Sequence, residues 1–88
     1  MAKTKFQYAI ILLVKAIRED KGLTQADIAD HLKVTAGYIG QIESIKSPSR
    51  YTQDQLNSLA IFLNCSPKDF MPETPIKDNS PIKLTKLS

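Results

Sequence analysis

Side chains able to carry covalent or metal chemistry are scarce in this chain of 88 residues. Cys65 is the only cysteine and His31 the only histidine, so neither an internal disulfide nor a Cys/His zinc cluster can be assembled. His31 reads as an exposed helix residue and Cys65 as a buried, inert one. There is no nucleophile–base arrangement and no glycine loop of the kind that cradles phosphates. What remains is hydrogen bonding and charge, the chemistry of a binding protein rather than of an enzyme. Twelve Lys and Arg against nine Asp and Glu leave a net charge of +3, compatible with an anionic partner but too mild to establish one.

The elements that must position any such surface are small. A chain of this length folds as one domain burying about 60 to 65% of its unfolded surface. Hydrophobic residues at 42% and charged residues at 24% are those of a globular protein. The apolar run Tyr8 to Val14 is only seven residues long, where spanning a bilayer takes roughly 20. Lys3 and Lys5 before it imitate the start of an export signal, but Lys15, Arg18, Glu19 and Asp20 follow where a cleavage site would stand. The expected setting is a reducing cytoplasm, with no metal, cofactor or membrane involved.

Phe6, Ile10, Leu13, Val14 and Ile17 recur at spacings of three and four and predict a first amphipathic helix to Asp20, ended by Gly22. Thr24, with Asp27 three places on, predicts the N-cap of a short helix from Gln25 to Leu32. Thr35 opens a third helix to about Ser44, with Ile39 and Ile42 on its inner face. Ile45 to Tyr51 contains Pro48 and reads as an exposed loop. Thr52 caps a fourth helix burying Leu56, Leu59, Ala60 and Leu63, and Ser66-Pro67 starts a short fifth one carrying Phe70 and Met71. Residues 1–72 form the expected domain. From 73 to 88 periodicity is lost, which predicts a mobile tail. Within it Ile82, Leu84 and Thr85 to Leu87 approach the alternation of a strand that could pair with a partner's edge.

Five short helices without a convincing strand make an all-α domain. Residues 24–44 have the features that set a helix-turn-helix: Ala29 is small where two helices would cross, and Val34 and Ile39 pin the angle from beneath.

Arg18 to Gln25, Asp27-Ile28-Ala29, Val34-Thr35, Ile39, Ile42-Glu43, Leu59-Ala60 and Leu63 to Ser66 stand together in the register of a known pattern. Over about residues 9–71 the chain resembles the XRE-type helix-turn-helix domains, the phage repressor and Cro family. That resemblance implies a compact five-helix, lambda-repressor-like fold whose third helix enters the major groove of double-stranded DNA. It implies a transcriptional regulator, a repressor in the first instance, acting as a homodimer on a two-fold operator and found at the nucleoid when DNA-bound.

Residue by residue, Gln25 matches the glutamine that meets a phosphate at the second helix's N-terminus. Thr35, Ala36, Gly37, Tyr38, Gly40 and Gln41 match the exposed face of the recognition helix. Lys46, Ser47 and Arg50 follow it, where phosphate contacts are common. Arg18 and Glu43 match a pair that ties the first helix to the third.

Three features depart from the family pattern. Ala36, Gly37 and Gly40 replace long polar side chains, leaving Gln41 and Tyr38 to read a base edge or a thymine methyl. Lys33 stands at a turn where relatives often have glycine. The loop after the third helix is longer than in the short phage repressors. Tyr8, Ile11 and Leu12 fall off the stripe of the first helix and mark a second apolar surface, a candidate dimer interface. The alternative to a DNA-reading regulator is a protein-interaction module, antitoxin-like or an accessory subunit, on the same fold. The 16 residues after the domain offer no effector domain for a small molecule.

Overall fold

In the computed structural model, which describes residues 2–83, four α-helices and one 3-10 turn enclose a single core. Helix α1 spans Lys5–Asp20, α2 Gln25–Leu32, α3 Ala36–Glu43 and α4 Gln53–Phe62. The expected fifth helix is a single 3-10 turn, Pro67–Phe70, so the five-helix count is corrected to four helices and a turn. Proline at its start and a capping box between Ser66 and Asp69 form it. It then ends at Met71, once Phe70 is fully buried.

Polar caps begin every helix. Thr4, Thr24, Thr35 and Thr52 each accept a hydrogen bond from the backbone N–H three residues on, satisfying a donor that the helix leaves orphaned. Thr4 and Gln7 make a reciprocal box that extends α1 one residue beyond the start read from periodicity. Helices α1, α2 and α4 end alike. Gly22, Lys33 and Asn64 take positive φ, and the next residue's N–H reaches back to the carbonyls of Arg18, Ala29 and Ala60.

Ile28, Ile39, Ile42, Leu59, Leu63, Phe70 and Val14 are fully buried at the centre, with Ala29 at the α2–α3 contact. The inward face of α1 is Ile11, Val14 and Arg18, which keeps Val14 of the expected stripe at its centre, leaves Ile10 and Ile17 packed at its edge and turns the face toward Ile11. The rotation follows from Arg18, which must face inward to reach Glu43. Ile11 is therefore a core residue at 2% exposure, which removes it from the candidate dimer surface. Tyr8 packs against the core, and only Leu12 of the three stands out at 43%.

His31, expected on an exposed face, is half-buried. Its ring stacks on Phe62 at 4.3 Å between centroids, and Nε2 lies 3.0 Å from the Ser58 hydroxyl.

The chain after Pro72 returns to α1. Lys5 N–H donates to the Ser80 carbonyl at 3.2 Å, Ile82 N–H to the Lys3 carbonyl at 2.7 Å, and Phe6 N–H to Asn79 Oδ1 at 2.8 Å. An antiparallel bridge joins Thr4 to Pro81. Of the residues whose alternation suggested pairing with a partner, only Ile82 is described, and its N–H pairs within the chain; Leu84 and Thr85 to Leu87 lie outside the described residues. The expected tail accordingly carries backbone contacts to α1 as far as Ile82.

Candidate nucleic-acid interface

Helix α3 sits over α2 because Ala29, 3% exposed, offers no bulk at the crossing. Three residues link the two helices. Lys33 turns the chain at φ 60°, ψ 44°, Val34 drops partly into the core, and Thr35 caps α3 by accepting from the Tyr38 N–H at 3.0 Å. A lysine takes the left-handed conformation here at some cost, as the departure from a turn glycine implied.

At about 100° per residue, Ile39, Ile42 and Glu43 turn inward, Gly37 and Gln41 fall on the opposite side, and Tyr38 and Gly40 lie at the two flanks, with Ala36 in the first turn above Glu43. Thr35, Ala36, Gly37 and Gln41 are exposed, Gly40 is half-covered, and Tyr38 lies at the flank, packed against the core. Of the six residues assigned to a reading face, Thr35, Ala36, Gly37 and Gln41 are thus solvent-exposed, while Gly40 and Tyr38 are partly covered at the flanks. Their side chains are short except for Gln41 and Tyr38.

The inner side of α3 is held by charge. Arg18 grips Glu43 with Nε to Oε2 at 3.1 Å and Nη2 to Oε1 at 2.9 Å, both side chains being almost wholly buried. Its Nη1 donates to the Leu23 carbonyl at 2.8 Å, joining the α1–α2 link to the same knot. Such a two-pronged arginine–carboxylate pair fixes orientation as well as distance. The expected tie of the first helix to the third is present.

Gln25, assigned to a phosphate, enters this knot as well. Its Nε2 donates to Glu43 Oε1 at 2.9 Å, and its Oε1 lies 3.5 Å from where a Cβ on Gly40 would stand. The Gln25 carboxamide therefore lies beside Gly40 with room for an ordinary contact to a Cβ there. That amide donor is turned inward, and the open helix N-terminus at Gln25 and Ala26 is what α2 presents to solvent.

After α3, Lys46 N–H donates to Ser44 Oγ and Ser49 N–H to Ser47 Oγ, both at 3.2 Å, shaping a loop of local serine turns. Lys46 and Arg50 are exposed and Ser47 half-buried. Arg50 stands beside Gln7, Pro48 and Pro81. Tyr51, expected at the end of an exposed loop, is 9% exposed behind the Arg18–Glu43 pair. Burial first, then the Glu43 charge, push its pKa far above the ordinary tyrosine value, with Arg18 pulling the other way.

Lys3 carries no site signal in the sequence, yet it is 1% exposed and its ammonium lies beneath the C-terminal end of α3. Nζ donates to the carbonyls of Ile42 and of Ser44, the latter at 2.6 Å, with the Gln41 carbonyl at 3.5 Å and the Tyr8 ring centroid at 5.6 Å. Burial lowers its pKa, while carbonyls at the negative end of a helix favour the charged form. Lys3 precedes the helix, so hydrophobic spacing carried no signal for it; the Thr4–Gln7 box, legible in the sequence, would have marked where the helix begins.

A family model described as helix-turn-helix matches residues 14–70, which takes in α1 from its middle, all of α2 to α4 and the 3-10 turn. No curated protein and no solved structure matches the chain.

Proposed function

The chain belongs to the XRE-type helix-turn-helix family, a family of DNA-binding transcription regulators, and from that premise we propose that it represses transcription by seating α3 in the major groove of an operator. The observation that carries this reading is the solvent-facing side of α3, running from the Thr35 cap to Gln41, on a helix fixed from within by Arg18, Glu43 and Gln25. Gln41 reads a base edge, Tyr38 adds apolar contact at the flank, and the bare backbone at Ala36, Gly37 and Gly40 comes close to the groove wall. Lys46, Ser47, Arg50 and the N-terminus of α2 meet phosphates. With so few long side chains on α3, operator choice depends heavily on DNA shape and stiffness.

Two copies bind as a homodimer on a two-fold site. The body measures 38 × 29 × 22 Å, which suits one copy per half-site at a separation of about 34 Å. Leu12, Ile61 and Met71 supply exposed apolar surface for pairing, Ile61 being 73% exposed. The protein is expected in the cytoplasm and, when bound, at the nucleoid. Among the described residues, no helix is long and apolar enough to cross a membrane.

Selection of bound sequences from a random duplex library tests the reading. Recovered sites should share a two-fold motif, and Gln41→Ala should weaken binding to them by about 1 to 3 kcal/mol while sparing random DNA. Equal affinity of Gln41→Ala and the parent for both would remove Gln41 from the reading face.

The small residues at 36, 37 and 40 also favour a second reading, a protein-interaction module whose α3 does not read bases. Under it, selection yields no common motif.

A further inference from the structure

The Lys3 ammonium lies against the carbonyls at the C-terminal end of α3, and neither the family match over residues 14–70 nor the reading face above assigns it a role. It is held there from the other end of the chain. Lys3 gives its carbonyl to the Ile82 N–H, Lys5 gives its N–H to the Ser80 carbonyl, and Thr4 bridges Pro81. Lys5 and Asp78 add an ion pair at 2.9 Å on the surface of the same junction. The N-terminal segment is thus pinned between the tail and α3.

At the end of α3, Ser44 leaves helical geometry at ψ 131°, and the helix has no basic residue in its last turn. The Gln41 and Ser44 carbonyls also accept from the Ser44 and Ser47 N–H groups, while the Ile42 carbonyl, at the negative pole of the helix, takes its donor from Lys3. Lys3 supplies both the donor and the charge, while its stem lies inside the fold and the Tyr8 ring flanks the ammonium.

We propose that Lys3, pinned by residues 80–82, is a positioning residue that fixes the last turn of α3 and through it the pose of the reading face. The claim about DNA rests on α3 being the element that enters the groove; the claim about α3 does not. Both chain ends, remote from the α3 surface in sequence, then act on DNA affinity without touching DNA.

Amide hydrogen exchange of the full-length chain without DNA, together with binding to a duplex recovered by the selection above, tests this. In Lys3→Met, which keeps the stem and removes the charge, amides of Ile42, Glu43 and Ser44 should exchange about tenfold faster or more, as loss of charge-assisted bonds implies, while those of α4 stay unchanged. Binding to the duplex should weaken by about the same factor. Ile82→Pro removes the donor to the Lys3 carbonyl and leaves Lys3 in place, so it should show a smaller effect at the same three amides. It also decides the matter should Lys3→Met fail to fold.

Unchanged exchange at those amides, or acceleration spread evenly over α1 to α4, overturns the proposal. Local acceleration with unchanged duplex binding overturns its link to DNA. A parent chain that recovers no duplex sinks the proposed function, and the exchange result then upholds or overturns the hold on α3 alone.

Discussion

The guanidinium of Arg18 meets both carboxylate oxygens of Glu43, at 2.9 and 3.1 Å, inside the fold and beneath the helix that presents the candidate reading face. Breaking a buried pair costs far more than the intact pair contributes, because the survivor is left as an uncompensated buried charge. Glu43→Ala should therefore destabilise the domain by about 3 to 5 kcal/mol in urea unfolding, and Arg18→Met with Glu43→Leu should recover most of that loss. Gln25 loses its acceptor in the single variant too. Equal costs for the single and double variants would show that the pair does not act as a unit.

Lys33 ends α2 at φ 60° without the freedom of glycine. Lys33→Gly should raise stability by about 1 kcal/mol, the cost of holding a side chain in the left-handed region. Thermal unfolding measures it. A fall in stability would mean that the turn relies on the lysine stem.

The glycines of α3 separate stability from function. A Cβ on Gly37 would meet only Thr35 Oγ1 at 3.9 Å, and one on Gly40 would touch Gln25 Oε1 at 3.5 Å, an ordinary contact. Gly37→Ala and Gly40→Ala should each stabilise the fold by roughly 0.5 to 1 kcal/mol through helix propensity. If backbone at these positions approaches DNA closely, both should weaken duplex binding while raising the unfolding midpoint. Stabilisation with undiminished binding would place the DNA elsewhere.

Sequence patterning showed the fold better than it showed the orientation of α1. Thr24, Thr35, Thr52 and Ser66 announce their caps locally, and the apolar spacing of α2 to α4 needs no tertiary knowledge. The facing of α1 does, since Val14 belongs as well to the stripe of Phe6, Ile10, Leu13 and Ile17 as to that of Ile11 until Arg18 is seen to pair inward. The exposed side of α3 was legible from period and family register. Gln25's inward amide and the course of Lys3 under α3 depend on contacts across 18 to 41 positions of sequence, and the burial of Tyr51 on tertiary packing, none of which a local pattern encodes.

Tyr51 makes an alkaline prediction. Its hydroxyl is buried without a hydrogen-bond partner among the described residues, and burial together with Glu43 raises its pKa above 10.0. The neutral phenol is the form the fold accepts. Its contribution is fully present below the unfolded tyrosine value near 10.0 and is lost as pH climbs from there toward the folded value. Ultraviolet titration should show part of the tyrosine ionisation delayed until unfolding. Tyr51→Phe should remove that delayed fraction and leave neutral-pH stability unchanged or higher by up to about 1 kcal/mol, since an unpaired buried hydroxyl is lost. Ionisation of all tyrosines in the folded state would contradict the burial.

The most direct test of DNA binding is the salt dependence of affinity for duplex DNA. Each phosphate neutralised contributes about −0.9 to the slope of log K against log salt. In the homodimer, Lys46 and Arg50 of both copies predict a slope of at least about −3.6, made shallower by roughly 1.8 in Lys46→Ala and again in Arg50→Ala. A flat slope, or one that neither substitution changes, would contradict the account.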